Sequence, residues 1–350
     1  MTLAEIARLA GVSRTTASYV VNGKSRQQRI SAATVERVMA VIEAHGYQVD
    51  AQAAALRRGA SRTLGFILPD LENASYARLA KLLEQGARAA GYQLLIVGSN
   101  DDPATERALA GALRARRCDG LIVASSLSPQ ERLYPRLMES GVPVVAVDRA
   151  LDETRMACII SENRRTATEL TASVITPRTR EVVWLEALAT LGNTVERRSG
   201  FAAASEAAGV TPRILAGARY DRESGQHLMR EALARHGLPD ALVSASWTLL
   251  AGALEILLSH YSIPALERHG LRLATFGSDR LLDFLPLGIN AMIQDHERIA
   301  ALALSHVLAA IGGASAPPGR IEVSRRFVRR DQREADSPAR ERSASACGDS

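Results

Sequence analysis

The feature that most constrains this chain is a pair of short helices predicted near its N-terminus, within LAEIARLAGVSRTTASYVVNG (residues 3–23). Apolar residues between Ile6 and Ala10 give the first helix one apolar face, and Gly11 begins a tight turn. Ser13 is predicted to cap a second helix that runs to about Val20. Two such helices joined by a turn are typical of a helix-turn-helix, whose second helix lies in a DNA major groove. A helical subdomain without a role in DNA binding is the alternative interpretation.

The segment that contains these helices is basic. Residues 1–60 carry eight Lys and Arg against four Asp and Glu, a balance of +4 in a chain of net charge +5. Ser31 is predicted to cap a third helix over about 32–44, which completes a small three-helix head. Excess positive charge on such a head favours contact with DNA phosphates and release of their counterions. The sequence therefore predicts a DNA-binding domain over residues 1–48.

Two short segments flank the main body of the chain. Residues 49–60 have high helix propensity but are too short to hold a helix alone in water, so we predict a hinge helix whose folding is coupled to another event. Residues 331–350 are polar and lack apolar periodicity, which predicts a disordered tail.

The body, residues 61–330, has the pattern of an α/β fold. Short β-rich runs alternate with amphipathic stretches, which indicates βαβ units and a mostly parallel sheet. The predicted strands are 64–69, 92–99, 119–125, 143–148, 156–160, 180–187, 241–246, 271–277, 290–294 and 320–330. Two doubly wound parallel-sheet lobes, similar in architecture to periplasmic binding proteins, account for this alternation. Ligands of such folds bind beyond the carboxyl ends of the strands.

Composition and missing motifs narrow the functional classes. No run of about 18 apolar residues and no signal-peptide pattern occurs, so a cytoplasmic protein without membrane contact is expected. Cys118, Cys158 and Cys347 are too widely spaced for a disulfide framework or a zinc site. No nucleotide-binding loop or nucleophile elbow is present, so no catalytic residue, cofactor or metal is predicted. His296 and His306 are predicted to line a solvent-facing helix.

The order of head, hinge and two-lobed body resembles the LacI/GalR family of transcriptional regulators over roughly residues 1–330. The head carries I-A-x-x-A-G-V-S followed by T-x-S-x-V-x-N-G, and the hinge carries Leu56. Within the family the chain is most similar to the fructose-responsive regulators. The stretches that carry this closer likeness are EIARLAGVSRTTASYVVNGK (5–24), PDLENASYARLA (69–80), VAVDRAL (145–151) and ATFGSDRLLDFL (274–285).

The resemblance implies a homodimer or homotetramer on double-stranded operator DNA. Arg14, Thr15 and Tyr19 share one face of the second helix and are suited to contact base edges. Short or basic side chains around them are suited to phosphates, namely Ser13, Thr16, Asn22 and Arg29. Paired hinge helices would place Leu56, with Arg57 beside it, in the central minor groove.

The resemblance also implies an effector bound between the lobes, a sugar phosphate such as fructose 1-phosphate that releases the operator. Asp148 could accept sugar hydroxyls, and Arg149 and Arg197 are placed to bind an anion. Further candidates are Asn73, Ser75, Tyr76, Trp247 and Asp279. The fructose regulators have Gly-Asp-Asn where this chain has Gly277-Ser278-Asp279, which bears on the identity of the sugar.

Three alternatives stay open on the sequence alone. A LacI-type regulator could respond to a free sugar or a purine, and its effector would then need no phosphate. A sugar-binding module similar to periplasmic receptors would require export. An enzyme on a doubly wound scaffold would need a nucleophile or a cofactor fingerprint, and none was found.

Overall fold

A computed structural model describes residues 1–46, 60–314 and 316–330 of the chain. The chain divides into two compact units, Met1–Ser61 and Arg62–Ser350. Leu56 and Arg57 of the predicted hinge, and the predicted tail, lie outside the described residues.

The described part of the first unit is a three-helix head. Its helices are α1 (Leu3–Leu9), α2 (Arg14–Val21) and α3 (Ala32–His45). Each begins after a Ser or Thr whose hydroxyl accepts a backbone N–H of the first turn; Ser13 Oγ accepts the N–H of Thr16 at 3.0 Å. Ile6, Ala17 and Val38 are fully buried between the helices. The predicted helix-turn-helix is confirmed.

The second unit begins with an α/β lobe that we call the N-lobe. Its parallel sheet has the order β11-β5-β4-β3-β1-β2. The strands are β1 (Thr63–Leu68), β2 (Gln93–Gly98), β3 (Gly120–Val123), β4 (Val144–Val147), β5 (Ala157–Ser161) and β11 (Gly319–Val323). One face packs against α4 (Ala74–Ala89) and α12 (His296–Ile311), and the other against α5 (Pro103–Ala115) and α6 (Leu133–Glu139).

The second lobe, the C-lobe, repeats this architecture with the strand order β12-β10-β9-β8-β6-β7. Its strands are β6 (Glu181–Ala187), β7 (Thr211–Gly217), β8 (Ala241–Ser244), β9 (Arg272–Phe276), β10 (Ile289–Gln294) and β12 (Arg325–Val328), the last antiparallel to β10. Its helices are α7 (Arg164–Ala172), α8 (Gly192–Ala208), α9 (Arg222–His236), α10 (Trp247–His260) and α11 (Ile263–His269). Trp184 anchors one core, stacked on Phe201 at 5.1 Å between ring centroids.

The chain crosses between the lobes three times, from β5 to α7, from β10 to α12 and from β11 to β12. Because both sheets are almost wholly parallel, the carboxyl ends of their strands open toward one cleft between the lobes. The predicted architecture, a helical head followed in the chain by two parallel-sheet α/β lobes, is confirmed.

Two local predictions were wrong. No strand was predicted over 211–217, yet β7 pairs there with β6 as an edge strand. Its alternate residues are exposed and it contains Pro212, so it lacks the apolar run that identified the buried strands. The single strand predicted over 320–330 is two, because the chain leaves one sheet at Val323 and joins the other at Arg325.

Within the described residues, no single helix combines the length and hydropathy needed to cross a membrane. The pair α10 and α11 would pass that test together, but it is bent by 99° at the break.

Candidate functional site

The head presents one polar face on α2. Arg14 and Thr15 are exposed and Tyr19 is half-buried, whereas Ala17 and Val20 face the core. Thr15 and Tyr19 are four residues apart and therefore share a face, with Arg14 beside them. A guanidinium, a hydroxyl with its methyl group and a phenol on one helix face can contact base edges in a major groove.

The residues predicted to contact phosphates surround this face, and three of them also hold the head together. Ser13 Oγ lies 2.9 Å from Thr16 Oγ1 at the start of α2. Asn22 Nδ2 donates to the carbonyl oxygen of Ser18 at 2.6 Å at the other end of the helix. Arg29 is exposed and adopts a left-handed backbone with φ of 51°.

The cleft of the second unit lies between the two lobes and is partly open to solvent. Seven of the eight residues predicted to bind the effector line it: Asn73, Ser75, Tyr76, Asp148, Arg149, Arg197 and Trp247. It is also lined by residues that were not among the predicted ones, including Asp101, Asn193, Phe276, Gln294 and Arg325.

Arg197 and Arg325 bring two guanidinium groups to one aromatic ring. Their Cζ atoms lie 4.6 and 5.1 Å from the ring centroid of Phe276. Both also donate to Asn163 Oδ1, from Arg197 Nε at 2.9 Å and from Arg325 Nη2 at 3.4 Å. Burial and the nearby charge of Arg197 hold the pKa of Arg325 well below its usual value. Neither group is ion-paired among the described residues, so a bound anion would balance their charge.

Arg149, which was predicted to bind an anion together with Arg197, lines the cleft and is ion-paired with Asp101. Arg149 Nη1 lies 2.5 Å from Asp101 Oδ1, and both side chains are almost completely buried. Arg149 Nη1 also donates to Ser126 Oγ at 3.2 Å. Arg149 therefore reaches the cleft as part of an ion pair, whereas the guanidinium that shares the Phe276 ring with Arg197 is that of Arg325.

Asp148 joins side chains from both lobes. Its Oδ2 accepts the hydroxyl of Tyr76 at 2.8 Å, and its Oδ1 accepts Gln294 Nε2 at 2.9 Å. Burial by itself raises the pKa of Asp148, but three guanidinium groups, led by that of Arg197, outweigh it and keep that pKa below its usual value. Asp148 is thus an ionised acceptor with lone pairs available for ligand hydroxyl groups.

Two buried atoms at the cleft have no hydrogen-bond partner in the described part of the chain, Asn193 Oδ1 and Arg149 Nε. Leaving a buried polar atom unpaired costs about 1–3 kcal/mol, so a ligand that pairs with them gains that energy. The first turns of α4, α8 and α10 also reach the cleft. Helix N-termini favour negative charge, so the cleft is suited to a polar anion.

The other predicted residues differ in how they reach the cleft. Asn73 Oδ1 accepts the N–H of Ser75 at 3.0 Å, so Asn73 caps α4. Trp247 begins α10 and packs partly against the C-lobe core. Asp279 is not brought to the cleft with the rest, because its Oδ1 accepts the N–H of Leu281 at 2.8 Å and starts a short 3₁₀ helix. Ser278 lines the cleft at that position.

Comparison with known proteins identifies both units. Residues 61–263 match the family model of periplasmic binding proteins and the sugar binding domain of the LacI family, and residues 2–50 match that of bacterial regulatory proteins of the lacI family. The chain belongs to the LacI family. No group of three or more metal-ligating side chains occurs among its described residues.

Relatives of this LacI-family chain match it over most of its length. The fructose operon regulatory protein of Vibrio cholerae is 50% identical over 308 residues, covering 88% of this chain and 93% of its own. The catabolite repressor/activator of Escherichia coli is 40% identical over 332 residues, covering 94% and 98%. The crystal structure of the Cra transcriptional dual regulator from Pseudomonas putida, in complex with fructose 1-phosphate, is 46% identical, with a TM-score of 0.74, covering 77% and 98%. This chain is a DNA-binding regulator of carbohydrate metabolism and not an enzyme.

His296 differs from the sequence prediction of a solvent-facing residue. It is half-buried, and its Nε2 lies 2.8 Å from Ser75 Oγ, whose hydroxyl proton is donated to Gln294 Oε1 at 2.5 Å. Ser75 belongs to α4, whereas His296 follows the crossover from β10. Burial, followed by the charge of Arg325, lowers the pKa of His296 below its usual value. The imidazole is therefore neutral at pH 7.

This lowered pKa predicts a pH dependence of stability. The unfolded chain takes up a proton at His296 near the usual pKa, while the folded chain resists it. Stability is therefore present above that pKa and lost as pH falls through it. Urea denaturation at about pH 7.5 and pH 5.5 measures how much the free energy of unfolding falls over this range. We expect that fall to be smaller in His296→Gln than in wild type, by up to about 1 kcal/mol. An equal fall in both chains would contradict this assignment.

Proposed function

We propose that fructose 1-phosphate is the effector of this regulator and that it binds in the cleft between the lobes. The observation that carries the proposal is the pair of guanidinium groups of Arg197 and Arg325. They share the ring of Phe276, have no bonded carboxylate among the described residues, and line the same cleft as the ionised Asp148. A ligand with a phosphate at one end and hydroxyl groups at the other matches both. Fructose 1-phosphate, the ligand in the crystal structure of the Pseudomonas putida relative, has this chemistry.

In this proposal the phosphate lies against the guanidinium forks of Arg197 and Arg325, near the first turn of α8. Arg197 Nε and Nη1 are engaged by Asn163 and the carbonyl oxygen of Ala245, which leaves Nη2 without a bond to the described residues. The sugar hydroxyls bond to Asp148 and to Asn193 Oδ1. The ring of Trp247 covers the sugar face.

Each segment of the chain has its own role in this proposal. Residues 1–48 bind the operator, 49–60 form a hinge in which Leu56 and Arg57 contact the minor groove, and 61–330 bind the effector and pair with a second copy in a homodimer or homotetramer. Residues 331–350 form a tail. The protein acts in the cytoplasm, where its operator and a phosphorylated sugar meet.

We further propose that the effector releases the operator. The cleft has polar contacts from both lobes, so a ligand that bonds to both favours one arrangement of the lobes over others. Complete release requires the effector to bind the released state about 10⁴-fold more tightly, or roughly 5.5 kcal/mol.

Isothermal titration of the full-length protein with four ligands tests the effector. The ligands are fructose 1-phosphate, fructose 1,6-bisphosphate, fructose and hypoxanthine. We expect micromolar binding of fructose 1-phosphate and none of fructose, because only the former neutralises the two guanidinium groups. Binding of fructose or hypoxanthine without the phosphates would contradict the proposal and favour the free-sugar or purine alternative.

A further inference from the structure

Four exposed arginines lie at the edge of the N-lobe where the chain from the head enters it. They are Arg62, Arg114, Arg116 and Arg117. The two segments that carry them lie side by side, because the N–H of Asp119 donates to the carbonyl oxygen of Thr63 at 2.8 Å and Asp119 Oδ2 accepts the backbone N–H of Arg62 at 2.8 Å. We call these four side chains the arginine edge.

The arginine edge differs from other exposed arginines of the same lobe. Arg107 and Arg132 are paired with Glu131 and Glu139 at 3.0 and 2.9 Å. No guanidinium of the arginine edge is ion-paired among the described residues, and that of Arg62 lies 5.0 Å over the ring of Tyr92. The four guanidinium groups on these two segments are thus without an ion pair among the described residues, and repulsion between like charges favours the binding of an anion there.

Arg117 occupies a backbone position at which this lobe otherwise uses glycine. Three of its helices end alike: Gly91, Arg117 and Gly141 follow α4, α5 and α6 with φ of 77°, 59° and 90°. In each case the N–H of the next residue bonds to the carbonyl oxygen five residues before it, at 2.8, 3.1 and 3.1 Å. This geometry is the usual glycine-terminated helix end.

An arginine in this conformation is strained relative to glycine. A strained backbone position is a reason to ask whether the side chain has a use beyond folding. Folding gives no such use here, since the Arg117 guanidinium is exposed and bonds to no described residue. Arg62, the first residue of the second unit, has the same left-handed backbone conformation, with φ of 56°.

We propose that the arginine edge binds backbone phosphates of the DNA duplex held by the head. Residues 47–61 connect the head to Arg62. The length of this segment, at most about 3.5 Å per residue, therefore limits how far the head and its bound duplex can lie from the arginine edge. Guanidinium groups match phosphate geometry, and such contacts add affinity without reading sequence. The proposal concerns DNA and does not depend on the identity of the effector.

Arg117→Gly in the full-length chain tests the proposal, with an operator duplex selected from random sequence by the wild-type protein. The log of the binding constant, measured by fluorescence anisotropy, falls with log salt by about 0.9 for each phosphate contact. We expect a slope smaller by about 1 to 2 per dimer and an affinity several-fold weaker at low salt. We also expect thermal unfolding at the same or a higher temperature, because glycine relieves the backbone strain.

Two outcomes would overturn the proposal. One is an unchanged salt slope in Arg117→Gly, and the other is a smaller slope accompanied by a lower unfolding temperature, which would make Arg117 a structural residue. A second variant, Arg114→Gln with Arg116→Gln and Arg117→Gln, should lower the slope further, and the three Lys replacements should preserve it. Arg136→Gln with Arg230→Gln and Arg268→Gln removes the same charge from exposed positions elsewhere. An equal loss of slope in this control would show that net charge alone is responsible.

Discussion

Arg197→Ala is expected to weaken the binding of fructose 1-phosphate by about 100-fold or more, which corresponds to about 3 kcal/mol. The substitution removes a guanidinium that is 7% exposed and stands 4.6 Å over Phe276. It leaves the phosphate facing Arg325 alone, whose own pKa is already lowered by burial. Titration calorimetry measures the affinity, and operator release measured with increasing fructose 1-phosphate should require correspondingly more ligand.

The neighbouring arginine supplies a matched control. Arg198 is on the same helix, but it bonds to Glu186 and to the carbonyl oxygen of Ala189 and does not line the cleft. Arg198→Ala should bind fructose 1-phosphate as wild type does. Arg197→Lys keeps the charge but loses the planar guanidinium that matches phosphate geometry, so a partial loss of affinity for fructose 1-phosphate is expected. Wild-type affinity in Arg197→Ala would refute the phosphate site.

Much of the cleft lining was predictable because its residues follow the carboxyl ends of strands. Asp148 comes directly after β4, and Trp247 follows β8 by three residues. In parallel sheets the residues after successive strands share one edge, so the strand pattern alone brings them together. Asp279 also follows a strand, but its carboxylate caps the next turn, a local competition that strand position does not reveal.

The remaining cleft residues depend on how the three crossovers fold. Arg325 lies in a run that was predicted as one strand, and only its division between two sheets brings that guanidinium to Arg197. Gln294 likewise reaches Asp148 because β10 ends between the lobes. The pairing of Arg149 with Asp101 joins residues 48 positions apart. Charge alone could not identify Asp101 as the partner of Arg149, since every carboxylate of the lobe was a candidate.

The second large effect is expected on the head. Arg14→Ala with Tyr19→Ala should reduce the affinity for a selected operator by about 100-fold or more, since each base contact contributes about 1–3 kcal/mol of discrimination. Affinity for a random-sequence duplex should fall far less, because the phosphate contacts remain. The fold should persist, since Arg14 is exposed and the core of the head is built from Ile6, Ala17 and Val38.

The control for this experiment is Arg37→Ala, which removes one exposed charge from α3 outside the face of α2. It should weaken both duplexes slightly and equally, through net charge alone. Anisotropy titrations with both duplexes at one salt concentration separate the two effects. If the double variant lost equal affinity for both duplexes, Arg14 and Tyr19 would be phosphate contacts, and the base-reading face of α2 would have to be sought among its other exposed residues.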